Sequence, residues 1–254
     1  ATGDLDVLSP GAGYTASDIT KVVTHDDEAG TLVTETPLRA TETMVWEGTL
    51  STTDTGVVGR VRIRDGITTL ETNLGDLTNV TALTIPASVR TIRRGALQNF
   101  AGDIVFLPRS ADDSLHVRPN ALRGTGIRDL VLPAGSLLLE SHGFAECASL
   151  RTVDLTACTT VTLKGTHHFS GCAALRHIDF GKQIPLLAAS MCANATLLKS
   201  VHVPASVARL DADVFSGCTG LQHVHLAEGG VASVGAGCFA GTSLTRCVLP
   251  ASCA

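Results

Sequence analysis

Leu198–Pro204 reads LKSVHVP, and 23 residues further on Leu221–Ala227 answers it with LQHVHLA. Between the two lies Phe215–Leu221, FSGCTGL. The first phrase alternates apolar and polar letters, as a half-buried strand does. The second is the turn that leads into the next strand. Working outward, the opening apolar position recurs at Ile127, Leu150, Leu175, Leu198, Leu221 and Leu244, at spacings of 23, 25, 23, 23 and 23 residues. Upstream, Val80-x-x-Leu83-x-Ile85-Pro86 fits the phrase. Gly102-x-x-Val105-x-Leu107-Pro108 fits except at its first slot, and Val58-x-x-Val61-x-Ile63 is a weaker first copy. About eight units result, with the period of a solenoid.

Proline recurs at Pro86, Pro108, Pro133, Pro204 and Pro250. It has no N–H to give a ladder and so ends each strand at one place. The turn phrase recurs as Phe144–Leu150 (FAECASL) and Phe169–Leu175 (FSGCAAL). One coil of this length cannot bury its own Leu, Val and Phe, but stacked coils pack matching slots on one another. Strands then lie ~4.8 Å apart in a parallel sheet, with Val-x-Leu inward and the intervening residue outward. The expected fold is a right-handed α/β leucine-rich-repeat solenoid. Short parallel strands should line its concave face, with little helix and mostly turns on the convex face.

The Leu-x-x-Val-x-Leu-Pro strand, the Ala-Ser-Val after it (Ala87–Val89, Ala205–Val207) and the Phe-x-Gly-Cys-x-x-Leu turn together resemble the BspA-like, Treponema-type leucine-rich repeats of bacterial surface proteins and several parasitic protists. The resemblance covers about Val58 to Ala254. It departs in the 102–126 unit, which lacks the Phe-Gly-Cys turn, and in the 175–197 unit, which has Met191-Cys192 in place of Gly-x-Phe. It implies a non-enzymatic recognition module at a cell surface or secreted, adhering to a protein or glycan.

Residues 1–57 lack the repeat. Alternating pieces such as Thr31–Thr34 and Thr43–Trp46, with loops at Pro10–Gly13 and Asp26–Gly30, point to a β-rich N-terminal cap or the end of a preceding domain. Residues 58–254 form the repeat domain. The chain opens on Ala1 and ends mid-coil at Ala254, so it reads as part of a longer polypeptide with further repeats or an assembly partner beyond the C-terminal end.

A hydrophobic fraction of 44% supports a packed core throughout, and a net charge of −5 argues against nucleic acid as partner. No apolar run is long enough for a membrane span. The eight cysteines all fall after residue 146 without a CxxC pair, so a zinc ribbon or thioredoxin-like motif is not supported. Equivalent side chains in stacked coils point in parallel, so buried free thiols are expected, with Cys247 and Cys253 the pair best able to bridge. Asn79 and Asn194 stand in glycosylation sequons. His167-His168 reads as a surface pair in a turn.

Two outward columns follow from the register. One runs Arg62, Thr84, Phe106, Val131, Asp154, Asp179, His202, His225, Val248; the other Arg60, Ala82, Ile104, Asp129, Thr152, His177, Ser200, His223, Arg246. The candidate ligand-binding face is therefore a polar patch of Asp154, Asp179, His177, His202, His223 and His225, beside an apolar patch of Phe106, Ile104 and Val131. A solvated face, a protein-contact surface and a metal site are the competing readings of the polar patch. No metal or cofactor is assigned, and no nucleophile is placed with a base and an orienting partner. Arg128, Arg151, Arg176 and Lys199 form a basic strand-edge column. It suits an acidic ligand or, alternatively, a row of solubilising charges partly paired with Asp129 and Asp154. Replacing His202 and Asp179 by alanine should spare the fold and weaken binding. The rival to surface recognition is an intracellular structural component of a larger assembly, where a reducing compartment keeps thiols free.

Overall fold

The computed structural model describes residues 19–23, 43–46, 59–71, 74–75 and 77–253. Strands are numbered in chain order. β1 (Ile19–Val23) and β2 (Thr43–Trp46) come first, joined in parallel to each other and then to β3. Most of the expected cap lies outside the described residues.

From there eight coils follow, each giving two strands. The first strand of each coil carries the Val-x-Leu phrase: β3 (Gly59–Ile63), β5 (Val80–Ile85), β7 (Asp103–Phe106), β9 (Asp129–Val131), β11 (Thr152–Asp154), β13 (His177–Asp179), β15 (Ser200–Val203) and β17 (His223–Leu226). The pairings among the described residues are all parallel, in runs β1-β2-β3-β5-β7, β9-β11-β13 and β15-β17, and β7 lies beside β9 as β13 does beside β15. The second strand forms where a convex-side turn was expected: β4 (Thr69–Leu70), β6 (Thr91–Ile92), β8 (Ser114–Val117), β10 (Gly135–Leu139), β12 (Cys158–Leu163), β14 (Leu186–Leu187), β16 (Arg209–Leu210) and β18 (Ser233–Val234). These also pair in parallel. The fold is thus a parallel β-solenoid, and the described residues contain no helix. The physical reason is visible in β10, where Gly-Ser-Leu-Leu-Leu alternates buried and half-buried positions at a strand's period of two.

A third side is built from turns, and its hydrogen bonding is as regular as a sheet's. Two left-handed residues four apart bracket each turn: Asn120 and Gly124, His142 and Glu146, His167 and Gly171, Ser190 and Asn194, Asp213 and Gly217. The bracket residues and the residue midway between them donate their N–H groups to the next coil. Thus His142, Phe144 and Glu146 reach the carbonyls of Thr166, His168 and Ser170 at 3.1, 2.9 and 2.7 Å. Such positions favour Gly and Asn sterically. Gly126 is required for a different reason: a Cβ there would collide with the Ala101 carbonyl of the coil before.

The interior is one continuous cluster. Ile127, Leu150, Leu175, Leu198 and Leu221 are fully buried, one above another. Phe144 stacks on Phe169 at 5.6 Å and Phe215 on Phe239 at 5.8 Å, with Cys192 filling the slot between the two pairs. One register expectation is overturned. Ile85 faces Phe106 and Leu83 faces Ile104, so Ile104 and Phe106 point inward and Val105 points out. Matching Val105-x-Leu107-Pro108 to the proline placed the whole unit one residue late, and a slip of one inverts every side chain in a strand.

Candidate functional site

The outward face of the first sheet collects the polar residues as expected in its later coils. Register sets Thr152 opposite Asp129 and His177, and Asp154 opposite Val131 and Asp179. Beyond β13, Ser200 faces His223 and His202 faces His225. The His202 and His225 rings stack at 4.8 Å with 14° between their planes. A shallow groove of about 310 Å³ lies over these strands, walled by His177, Asp179, Ser200, His202, His223 and His225. Every one of those side chains is exposed, while Ile178 and Val201 behind them are buried. The ladder that fixes the strands therefore fixes the positions of the groove residues.

The aspartates carry a second duty that sequence alone did not suggest. Asp154 Oδ1 accepts the Thr156 N–H at 2.8 Å and the Thr156 hydroxyl at 2.6 Å, and Asp179 Oδ1 accepts the Gly181 N–H at 2.9 Å. Each carboxylate closes the turn that leaves its strand. Asp129 accepts the Thr152 hydroxyl at 2.7 Å.

The apolar patch is smaller than expected. Val131 (58% exposed) and Val105 (47%) form it, and Phe106 (9%) belongs to the core. In the basic column, Arg151 N donates to Arg128 O at 2.7 Å and Arg176 N to Arg151 O at 2.9 Å, which fixes three of the four residues in adjacent coils. Lys199 holds the matching place, its carbonyl accepting the Gln222 N–H at 2.9 Å. All four are exposed. The expected pairing with Asp129 and Asp154 does not occur. Ion pairs among the described residues lie elsewhere: Arg90–Asp113, Arg93–Glu71, Arg118–Glu140, Arg123–Glu146, Arg62–Asp65, Arg209–Asp211 and His116–Glu140.

A second histidine group stands in the turn ladder, and one member departs from the expected surface position. His142 and His167 stack at 4.8 Å in the turn ladder, and His168 is fully buried instead of exposed. Its Nε2 lies 3.2 Å from Lys164 O, and burial pushes its pKa down to about 4. The missed signal was positional. His168 precedes the Phe slot, where the other coils place Ala121, Gly143, Met191 and Val214, all of them buried. Six of the eight cysteines are buried free thiols, and Cys247 and Cys253 are half-buried and free. Asn79 and Asn194 are both exposed. Among the described residues no group of three or more His, Cys, Asp or Glu is placed to hold a metal ion. No described helix is long and apolar enough to cross a membrane.

The repeated coils match the family model for the BspA type leucine rich repeat region in six copies, over residues 68–195 and 187–254. The chain belongs to the BspA-type leucine-rich-repeat family. Among solved structures, this BspA-type chain is similar to a leucine-rich repeat protein from Bacteroides ovatus ATCC 8483 (17% identity, 93% of this chain, 82% of that chain, TM-score 0.42). It is also similar to a leucine rich cell surface protein from Faecalibacterium prausnitzii A2-165 (18%, 80%, 77%, 0.38) and to a leucine-rich repeat protein from Eubacterium ventriosum ATCC 27560 (13%, 74%, 84%, 0.28). No curated protein matches it.

Proposed function

We propose that this BspA-type solenoid is a non-enzymatic recognition module, secreted or held at a cell surface, and that it binds a macromolecular ligand across the outward face of its first sheet. The observation that carries the reading is the groove of His177, Asp179, His202, His223 and His225, whose exposed side chains stand on hydrogen-bonded strands. Binding there costs little ordering of backbone, which favours affinity. The groove is open and shallow, unlike the enclosed sites that exclude water for chemistry. Repeat proteins use such extended surfaces for partners, and the surface location rests on membership of the family. The six buried thiols lend no weight to an intracellular role, because burial protects them in any compartment.

The test is a substitution that changes the groove and spares the turn. Asp179→Ala would strip the acceptor from Gly181 N, so Asp179→Asn is combined with His202→Ala. Purified extracellular proteins and glycans are arrayed and probed with both chains. The expected result is a ligand held by the native chain and released at least about tenfold more readily by the variant, a change of about 1.4 kcal/mol, with Tm unchanged. Ligands held equally by both chains would remove this face from consideration.

A further inference from the structure

We infer that the ligand laid across this face is an acidic polysaccharide, its anionic groups running along Arg128, Arg151, Arg176 and Lys199. The inference rests on the recognition reading of the same face and names the chemistry of its ligand. Three arginines in other coils are neutralised by a carboxylate one coil away: Arg90 by Asp113 at 3.0 Å, Arg93 by Glu71 at 3.1 Å, Arg123 by Glu146 at 2.7 Å. Along the edge of β9, β11, β13 and β15 this is not so. Four exposed cations stand in adjacent coils ~4.8 Å apart with no ion pair among the described residues, although like charges on neighbouring strands repel. An anionic chain running across the strands removes that repulsion at each step.

The neighbouring rows choose among anionic polymers. Arg176 and Lys199 lie next in sequence to His177 and Ser200 of the groove, so these cations border hydrogen-bonding side chains. On the far side, Asp154 and Asp179 each spend Oδ1 on a turn and keep Oδ2 as an acceptor. A polymer meeting both rows needs anions along one edge and hydroxyl donors along the other, as sulfated or uronate-bearing sugars have. Single-stranded nucleic acid stacks its bases on aromatic side chains, and the outward positions of β9, β11, β13, β15 and β17 hold no Phe, Tyr or Trp, the rings there being the imidazoles of His177, His202, His223 and His225. An acidic peptide offers few hydroxyls to the aspartates.

Fluorescence anisotropy with the whole chain tests this. The probes are a heparin octasaccharide, a hyaluronan octasaccharide, neutral dextran of equal length, a single-stranded DNA 20-mer and polyglutamate. Heparin, hyaluronan or both should bind, and their relative strength assigns sulfate or carboxylate as the group read; dextran should not bind. Arg151→Gln/Arg176→Gln/Lys199→Gln should weaken binding at least tenfold at unchanged Tm and flatten its salt dependence. Asp154→Asn/Asp179→Asn, which keeps the turn acceptors, should weaken it a few-fold. Binding that is unaffected by the triple variant, strengthened by the Asn pair, or matched by DNA or polyglutamate overturns the inference. So does a lack of binding by either acidic sugar; if the Asp179→Asn/His202→Ala chain still loses a protein ligand in that case, the recognition reading stands without it.

Discussion

The Cys172 thiol donates a hydrogen bond to the carbonyl of Phe144, 3.2 Å away in the preceding coil. Cys147 does the same to Leu122 O at 3.2 Å, and Cys218 to Cys192 O at 3.1 Å. Each acceptor is the residue in the Phe slot one coil earlier. Burial pushes the Cys218 thiol up to about 11, and the neighbouring Cys147 together with burial raises Cys172, so these two sulfurs stay protonated and able to donate, while the hydrogen bond with Cys172 lowers Cys147. The cysteines therefore act as rungs between coils, where a disulfide would need side chains aimed at each other. Cys172→Ala should cost about 1–3 kcal/mol, because a buried carbonyl loses a partner and a small void opens. Cys172→Ser, which keeps a donor, should cost less. Urea denaturation of the two variants checks the order, and equal losses would reduce the thiol to a space-filler.

Reactivity gives an independent check on the same sulfurs. A thiol reagent added to the native, unreduced chain should leave the six buried cysteines unmodified, and all eight should react once the chain is unfolded.

His168 makes stability depend on pH. Its folded pKa, about 4, lies below the ordinary 6.5 because burial opposes the charge. Burial, with His167 beside it, lowers His142 as well. As pH falls below 6.5 the unfolded chain takes up a proton that folded His168 refuses, so stability is full above 6.5 and declines until about pH 4. The contribution of His168 over that window is about 3 kcal/mol. His168→Met, which copies Met191 in the next coil, should flatten that part of the profile. Urea midpoints at pH 7 and 4.5 measure it, and parallel profiles for the two chains would count against the assignment.

The corrected register of β7 predicts opposite results for adjacent residues. Phe106→Ala should cost about 3–5 kcal/mol. Val105→Ser should change stability by about 0.5 kcal/mol or less. The reverse order would restore the alignment anchored on Pro108.

Most of the solenoid is legible in the sequence, since one coil's apolar pattern is checked by the next. Leu150, Leu175 and Leu198 are stacked and buried as their spacing requires. The failures have local causes. In the 102–126 unit the proline was followed instead of the alternation, which cost Phe106 its side of the sheet. The second strands are as short as two residues, too brief for periodicity to separate Leu186–Leu187 from a turn. At the candidate site the rows of His, Asp and Arg follow from strand alternation. The turn-closing bonds of Asp154 and Asp179 depend on backbone direction after the strand, and letters do not carry it. A position in a turn suggests a surface place for His168, whereas the slot it shares with Ala121, Met191 and Val214 marks it as interior.

The paired left-handed residues of the third side have a consequence for recognising kindred chains. Glycine, asparagine, histidine, serine, aspartate and glutamate all serve in those brackets here. The coil without the Phe-Gly-Cys wording keeps the bend intact through Asn120 and Gly124. The hinge of each coil is thus spelled in backbone angle, with several interchangeable letters for one shape. A search that counts identical residues will overlook sister coils that a search for two such bends, four positions apart, would recover.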